Sequence, residues 1–338
     1  MTVRFGILST ARINRLVLAA AERTDRAEFV AVASRDARRA EAYARDHGID
    51  RPYSSYEALL EDAEVEAVYI PLPNSLHIEW TLRALDAGKH VLCEKPLSVR
   101  PDEVGQAFDA AEAEGLVLSE AFMFRHHPQT HAVGRLIEEG AVGTLRLIRA
   151  AFSFQLAAVH GADDARFSPE LDGGSLMDVG SYCVNAIRFL AGEPERVYAE
   201  EVRGPSGVDV SLAATLSCPR DVLAHFDCGF VSPYRAQLEV VGESGVLVVE
   251  EPWQIEAPGI DLRRDGEAKR IPVEHVDSYQ VELENVSGAI QGDVPLLLGR
   301  EDAVGQARAL EALYRSAATA APVELVPPRV HAGPRSAS

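Results

Sequence analysis

The sequence predicts a doubly wound α/β domain with a parallel sheet, followed by an α+β domain with a largely antiparallel sheet. Up to Ala121, apolar strand patterns alternate with helical patterns and make about five or six βα units. Beyond Ala121, strand patterns follow one another, with turns such as Gly204-Pro205 and Gly242-Glu243 between them. The 338 residues suit two domains, which we place at 1–122 and 123–325. The tail at 326–338, rich in Pro, Gly and Ser, is expected to be disordered.

The elements of the first domain are placed by their hydrophobic periodicity. Residues 3–9 read as a buried strand, and the next helix carries apolar residues three and four apart, at Ile13, Leu16, Val17 and Ala20. Strands are predicted at 3–9, 28–33, 65–70, 91–93 and 116–121, and helices at 10–23, 37–47, 56–61, 76–87 and 101–114.

The turn after the first strand lies where a dinucleotide-binding fold carries the fingerprint G-x-G-x-x-G. Its six positions are Ser9-Thr10-Ala11-Arg12-Ile13-Asn14, and none of the three glycines is present. Ser9 and Ala11 are small enough for a ligand to approach the backbone closely, and the helix start offers free N–H groups to a pyrophosphate. The turn by itself is a weak indication of a dinucleotide.

The end of the second strand indicates which dinucleotide would bind. NAD-selective sites place a carboxylate there for the ribose 2′-hydroxyl, whereas Ser34 and Arg35 come first in this chain. Asp36 follows, but it is also a natural N-cap for the next helix. An arginine fork suits the 2′-phosphate of NADP, so we expect NADP, with NAD possible. The alternative is that Arg35 is an ordinary surface arginine.

The next two strands lead into further candidate residues. The turn Pro71-Leu72-Pro73-Asn74-Ser75-Leu76-His77 has two prolines that form a rigid shelf, and Asn74 and Ser75 can cap the following helix. The strand at 91–93 runs into Glu94-Lys95-Pro96.

Lys95 is one of three lysines in a chain that otherwise uses arginine for positive charge. A lysine can change its protonation state, whereas an arginine cannot. Ligands bind at the carboxyl ends of strands in open α/β sheets, so Lys95 is a candidate catalytic residue. The alternative is a solvated lysine in a turn.

The second domain is expected to contain mostly strands. The stretch Glu120–Gln129, which includes Arg125 and Pro128, leads into a helix ending near Gly140. Strands are predicted at 145–154, 196–202, 210–217, 221–228, 237–241 and 246–250, and closing helices at 278–291 and 301–320.

A second chemical stretch, Asp172–Gly192, lies between the first two of these strands. From Val179 it reads as a helix with Gly192 as its C-cap. Asp178 and Tyr182 are four residues apart and would share one face at the helix start. An acid and a phenol placed together suit proton transfer. The alternative is that Asp178 caps the helix and Tyr182 packs in the core.

Composition narrows the possible partners and location. The net charge of −19 argues against nucleic acid and membrane surfaces. No run of 18 apolar residues exists, and the N-terminus enters a strand pattern directly, so neither a membrane span nor a signal peptide is expected. The four cysteines are scattered without CxxC spacing, which indicates reduced core residues of a cytoplasmic protein.

Taken together, Glu94-Lys95-Pro96, the turn from Pro71 to His77, the Arg125/Pro128 stretch and Asp178 with Tyr182 resemble the Gfo/Idh/MocA oxidoreductases over about residues 3–320. The resemblance implies an N-terminal Rossmann domain and a C-terminal α+β domain with an open, largely antiparallel sheet. It also implies NAD(P)-dependent oxidation or reduction of a CH–OH group on a sugar, polyol or diol.

The resemblance assigns roles to particular residues. Lys95 corresponds to the catalytic lysine, Asp178 to the family's aspartate, and Tyr182 to a position that is histidine in most members. Tyrosine there is typical of the glucose–fructose oxidoreductase, aldose 1-dehydrogenase and dihydrodiol dehydrogenase branch. The missing glycines depart from the family fingerprint and leave the pyrophosphate contacts open. The cofactor residues expected are Ser9, Thr10, Ala11, Arg12, Ile13, Ser34, Arg35, Leu72, Pro73, Asn74, His77, Glu94, Lys95 and Arg125.

The expected mechanism gives the proton to Tyr182, whose pKa the neighbouring Lys95 ammonium should lower. Asp178 would orient substrate hydroxyls or Lys95, and Arg125 would meet the cofactor or a substrate oxygen. The expected activity is an NADP-dependent aldose 1-dehydrogenase. The alternatives are a reductase of a free or nucleotide-linked keto-sugar, a trans-dihydrodiol dehydrogenase, and a non-enzymatic sugar or cofactor sensor.

Two further expectations concern metals and assembly. His126, His127 and His131 could suggest a metalloenzyme, but no carboxylate or cysteine completes a ligand set, so no metal is expected. A homodimer or homotetramer is expected, built on the exposed face of the C-terminal sheet.

Overall fold

The first half of the chain forms a six-stranded parallel sheet. The computed structural model describes residues 1–325, so the tail predicted to be disordered lies outside the described residues. The strands are β1 (Val3–Leu8), β2 (Ala27–Ala33), β3 (Arg51–Tyr53), β4 (Ala67–Ile70), β5 (His90–Glu94) and β6 (Leu118–Ala121). Their order is β3-β2-β1-β4-β5-β6, which confirms the doubly wound prediction and puts the topological switch between β1 and β4.

Helices connect these strands: α1 (Asn14–Ala21), α2 (Ala37–His47), α3 (Tyr56–Leu60), α4 (His77–Asp86) and α5 (Pro101–Ala113). The prediction missed β3, a three-residue edge strand with Pro52 at its centre. A proline is tolerated at an edge because its missing N–H faces away from the ladder.

The second half forms a nine-stranded sheet. Its elements are α6 (Pro128–Glu138), β7 (Leu145–Ser153), α7 (Leu156–His160), α8 (Ser181–Ala191), β8 (Arg196–Arg203), β9 (Asp209–Cys218), β10 (Val222–Gly229), β11 (Arg235–Gly242), β12 (Val246–Glu250), β13 (Ile260–Arg264), β14 (Glu267–Ile271), α9 (Ser278–Ile290), α10 (Arg300–Thr319) and β15 (Val323–Glu324). The order is β14-β13-β12-β11-β7-β10-β9-β8-β15. Among residues 1–325, only β7 and β10 of this sheet pair in parallel, which confirms a largely antiparallel sheet.

The β13–β14 hairpin was not predicted. Its turn residues Asp265 and Gly266 have φ of +54° and +82°, as in the type I′ turn that joins hairpins. Its strands carry mostly charged, exposed side chains, so they lack the apolar alternation by which the other strands were found.

The last two helices join the two halves. Leu283 and Val286 of α9 lie in the core beside α1, and Ala303 and Ala307 of α10 lie in the core beside α5. The division at residue 122 therefore stays a prediction, since these helices contribute to both halves. Within residues 1–325, no helix is both long and apolar enough to cross a membrane.

Candidate active site

Three predicted stretches meet at one edge of the first sheet. The turn at 9–13 follows β1, the turn at 71–76 follows β4, and Lys95 follows β5. These strands are adjacent and parallel, so their carboxyl ends bring the three stretches together.

The turn after β1 fits a dinucleotide despite its missing glycines. Ser9 has φ of +149°, a conformation that glycine adopts without strain and other residues rarely adopt. Its hydroxyl accepts from the Ala11 N–H (3.2 Å), and the buried Asn14 amide donates to its carbonyl oxygen (3.0 Å). The turn is thus held in its bent form without glycine. Among the described residues, no acceptor lies within hydrogen-bond distance of the Thr10, Arg12 and Ile13 N–H groups, which leaves them for a pyrophosphate.

A pair of arginines flanks the end of β2. The Asp36 carboxylate accepts from the Arg38 and Arg39 N–H groups at 2.9 and 3.3 Å, so it caps α2 as the alternative interpretation allowed. Arg35 lies beside the Tyr56 hydroxyl together with Arg39: burial raises the pKa of Tyr56, and both guanidinium groups oppose that rise. Arg39 also donates to the Thr10 carbonyl oxygen (3.4 Å). Sequence reasoning missed Arg39, although its position one helical turn after Arg35 was a usable signal.

The buried His77 side chain contacts the backbone of the turn after β4. Its ring nitrogens lie 2.8 Å from the carbonyl oxygens of Leu72 and Pro96, and the side chain is fully buried. The expectation that His77 contacts the cofactor is therefore wrong, because both nitrogens already face backbone oxygens. Asn74 points the other way and donates to the Asp172 carbonyl oxygen (2.8 Å) of the second half. Leu72 is buried and Pro73 is half-buried.

Glu94 and Lys95, at the end of β5, have different hydrogen-bond partners. Glu94 accepts from the Tyr69 hydroxyl (2.6 Å), and burial raises the pKa of Glu94 against the opposing effect of Lys95. Lys95 Nζ donates to Asp178 twice, to the backbone oxygen (2.8 Å) and to Oδ1 (3.1 Å). The predicted pairing of Lys95 with Asp178 across the two halves is therefore present.

Asp178 lies in a turn of π-helix, Leu176–Gly180, and α8 begins only at Ser181. The expected helix start at Val179 is thus corrected, since a π-turn widens the chain just before α8. π-turns are often found at functional sites. The second carboxylate oxygen of Asp178 accepts from Arg166 (3.0 Å), which sequence reasoning did not single out. Burial acts to raise the pKa of Asp178, but Lys95 and Arg166 outweigh it and lower that pKa.

Tyr182 presents its ring to Lys95. The Lys95 ammonium lies 4.6 Å from the ring centroid, while the Tyr182 hydroxyl points to Met123 Sδ (3.7 Å). The ring packs among Phe122, Phe124, Phe152 and Trp253. The expectation that Lys95 lowers the pKa of Tyr182 is wrong, because burial raises that pKa well above its ordinary value and nearby acidic groups add to the rise.

Arg125 lies between α8 and α10. It is buried, and its Nη1 donates to Asn185 (2.8 Å) and Asp302 (3.1 Å) while its guanidinium lies over the Phe189 ring. The expected contact of Arg125 with cofactor or substrate stays a prediction, and the contacts that the structure shows are with the protein interior.

The three neighbouring histidines have separate surroundings. His127 accepts from the Gln129 N–H and caps α6, and His131 packs against Phe189. His126 lies 4.0 Å from Glu282, and burial lowers the pKa of His126 to about 3.

Comparison with known proteins matches both halves of the chain. Residues 3–122 match the model of an oxidoreductase family with an NAD-binding Rossmann fold, and residues 130–248 match a GFO/IDH/MocA C-terminal domain.

Individual relatives cover most of the chain. It is 40% identical to an NADP(+) D-xylose 1-dehydrogenase of Haloferax volcanii, over 95% of this chain and 99% of that protein. It is 40% identical to a trans-1,2-dihydrobenzene-1,2-diol dehydrogenase of Oryctolagus cuniculus, over 67% and 68%. The structure is similar to a 3-ketoreductase from Actinomadura kijaniata, solved with NADP and TDP-benzene, with a TM-score of 0.88, 31% identity and coverage of 94% and 98%.

Proposed function

The chain belongs to the Gfo/Idh/MocA family of NAD(P)-dependent oxidoreductases, and from this premise we propose that it transfers a hydride between NADP and a CH–OH carbon of a sugar or sugar-like polyol. The observation that carries the proposal is the Lys95–Asp178 pair, which lies at the carboxyl end of β5 beside the dinucleotide turn. A titratable amine at that edge is placed to exchange a proton with the reacting oxygen.

The cofactor-binding residues in this proposal come from three strand ends. The free N–H groups of Thr10, Arg12 and Ile13 would hold the pyrophosphate. Arg35 and Arg39 would hold the 2′-phosphate, and the 71–74 turn the nicotinamide half. When bound, NADP would supply the hydride chemistry. The NADP(+) xylose dehydrogenase and the NADP-bound 3-ketoreductase support NADP over NAD.

The proton-handling group in this proposal is Lys95 Nζ. Asp178 and the Tyr182 ring fix the ammonium from two sides, so its third direction remains for a substrate hydroxyl or carbonyl oxygen. Tyr182 was expected to exchange the proton itself. Its hydroxyl points to Met123 Sδ (3.7 Å), so the geometry favours Lys95, with Tyr182 supporting it.

The proposed direction is oxidation of an aldose, in line with the xylose dehydrogenase. A second candidate is reduction of a keto-sugar on a nucleotide, which similarity to the 3-ketoreductase favours. Both would use Lys95: its neutral amine would accept the hydroxyl proton in oxidation, and its ammonium would donate a proton to the carbonyl oxygen in reduction.

The test is NADP+ reduction by the purified protein across aldoses, inositols and dihydrodiols, with NADPH oxidation by keto-sugars as the reverse assay. Turnover of at least one aldose is expected. Turnover of dihydrodiols or keto-sugars alone would reassign the substrate, and no turnover on the whole panel would contradict the proposal.

The cofactor choice is tested with Arg35→Ala and Arg39→Ala together. Loss of two charge-assisted contacts should raise KM for NADP+ by roughly 10- to 100-fold and leave KM for NAD+ nearly unchanged. An equal rise for both cofactors would show that these arginines do not contact the 2′-phosphate.

We also propose a homodimer or homotetramer in the cytoplasm. Helices α8 and α10 cover one face of the nine-stranded sheet, and the other face exposes Leu223 of β10 by 51%. The four cysteines are free and buried, as in a reducing compartment. Light scattering of Leu223→Glu should show dissociation, whereas Leu297→Glu, outside the sheet, should not. A monomeric wild type would contradict the assembly.

A further inference from the structure

The segment 156–172 of the second half lies across the cleft and contacts the first half at several points. Its Asp172 accepts from Asn74 through the backbone oxygen and pairs with Arg100 (3.6 Å) through the carboxylate. At its other end, Arg12 of the dinucleotide turn contacts His160 and lies 4.0 Å from Asp164. Arg166 is therefore carried by a segment that closes over the proposed reaction centre.

All three nitrogens of the Arg166 guanidinium are engaged. Nε and Nη2 donate to the two oxygens of Asp164 at 2.8 and 3.1 Å, and Nη1 donates to Asp178 Oδ2 at 3.0 Å. The Asp164 carboxylate also accepts from the Arg166 N–H, so the fork is preorganised within its own loop. Three of its five N–H groups thus tie Arg166 to the carboxylates of Asp164 and Asp178.

Asp178 is divided between two cations. Oδ1 accepts from Lys95 and Oδ2 from Arg166, and the side chain is 18% exposed. Without Arg166, the carboxylate could rotate about its last bond and turn both oxygens to Lys95. The Lys95 ammonium would then have the Asp178 carboxylate to itself instead of sharing it with Arg166.

We propose that Arg166 is a positioning residue of the reaction centre: it fixes the Asp178 carboxylate with one oxygen for Lys95 and thereby fixes where the Lys95 ammonium points. This inference rests on the proposed role of Lys95. It predicts that Arg166 acts on the chemical step and not on the affinity for substrate.

The first test is steady-state kinetics of Arg166→Met and Arg166→Lys on the best substrate. A misplaced reacting group costs on the order of 100-fold, so kcat should fall by about that factor in Arg166→Met while KM changes little. Arg166→Lys keeps a cation for Asp178 and should recover about tenfold of the loss. The control is Arg4→Met, since Arg4 also bridges two carboxylates, Glu64 and Glu66, but lies at the amino end of β1, away from the reaction centre.

Asp164→Asn provides a second variant should Arg166→Met fail to fold. Asp164→Asn weakens the two-pronged contact that Asp164 makes with Arg166 but keeps the Arg166 guanidinium. The kcat should therefore fall less than in Arg166→Met, again without a large rise in KM. A wild-type kcat in Arg166→Met, or a loss that appears in KM alone, would overturn the proposal.

The second test does not need turnover. The chain has three lysines, so the side-chain NMR signal of isotopically labelled Lys95 can be assigned by its disappearance in Lys95→Met. Besides Asp178 and Arg166, the groups that face Lys95 are Glu94, Glu120, His77 and the Tyr182 ring. Arg166→Met leaves these in place and gives Asp178 to Lys95 alone, so the Lys95 side-chain signal should move, whereas Arg4→Met should leave it unchanged.

The two tests separate the possible failures. An unchanged Lys95 signal in Arg166→Met would overturn the positioning role even if kcat fell. If the wild type turns over no substrate, the proposed function fails, and the NMR signal alone decides whether Arg166 positions the Lys95–Asp178 pair.

Discussion

Two clusters of charge lie on either side of the start of α8, one at the carboxyl end of β5 and the other between α8 and α10. In the reaction cluster, Lys95, Asp178 and Arg166 have side chains 9, 18 and 28% exposed. In the anchoring cluster, Arg125 and Asp302 join Asn185, Arg188 and Gln306, and the Arg125 and Arg188 side chains are 8 and 2% exposed.

The two clusters differ in their place in the fold and in what surrounds the cation. Lys95 is held by Asp178 and by the face of the Tyr182 ring at the carboxyl end of β5, the edge of a parallel sheet where ligands bind. Arg125 has its charge neutralised by Asp302 and its plane covered by Phe189, between α8 and α10. Charge at the junction of two halves is therefore not by itself a sign of catalysis, and the position at a strand end is the additional signal.

The largest expected effect is on turnover in the reaction cluster. Lys95→Met should lower kcat by about 1,000-fold, because general acid–base groups contribute roughly 100- to 10,000-fold. The free energy of unfolding should change little. Lys269→Met, on the exposed strand β14, is the matched control and should leave kcat intact. A kcat close to wild type in Lys95→Met would remove the distinction between the clusters.

The anchoring cluster should show the opposite result. Arg125→Met leaves Asp302 and Asn185 without their main donor, and breaking a buried pair costs about 3 kcal/mol of unfolding free energy. The urea midpoint should fall accordingly, while kcat well below Tm stays close to wild type. A normal midpoint with a collapsed kcat would instead place Arg125 in the reaction.

A smaller effect is expected from Tyr182. Tyr182→Phe keeps the ring beneath the Lys95 ammonium and removes a hydroxyl that points to Met123, so we expect kcat to fall only about tenfold, below the range typical of a lost general acid. Tyr182→Leu removes the ring as well and should cost more. A loss above about 100-fold in Tyr182→Phe would show that the Tyr182 hydroxyl exchanges the proton with the substrate.

The smallest effect concerns Glu120, a buried acid on β6 whose pKa is affected by charges of both clusters. It accepts from the Leu97 N–H (2.7 Å), and burial raises its pKa to about 8, with Asp302 adding to the rise and Arg188 and Lys95 opposing it. A folded pKa above the ordinary 4.5 means that stability falls as pH rises from about 4.5 to 8. Urea unfolding of Glu120→Gln should therefore lose less stability than wild type between pH 5 and 8. Parallel curves would show that Glu120 is ionised in the fold.

The fold and part of the site could be predicted because they depend on local patterns. Strand ends located Lys95, and the positions of Ser34, Arg35 and Asp36 indicated the cap and the arginine side of the cofactor site. Arg166 could not be found this way, because its role depends on a loop that crosses from the other half of the chain. The partners of Arg125 could not be predicted either, since the sequence shows a charge but not the direction in which it points.

The π-turn at Asp178 was missed for a related reason. The apolar spacing of α8 continues backward through Val179, so periodicity does not show where the turn widens. The same limit hid the environment of Tyr182: a spacing of four predicts that it lies near Asp178, but the hydroxyl direction is set by the aromatic packing around it.

The most direct test of the central claim is amine rescue of Lys95→Ala. If Lys95 Nζ exchanges the proton, this variant should be nearly inactive alone, and its turnover should rise in proportion to added methylamine, which has no such effect on the wild type or on Arg125→Met. If Lys95→Ala without amine keeps more than about a tenth of the wild-type kcat, the loss is below that of a general acid–base group, and Lys95 does not handle the proton.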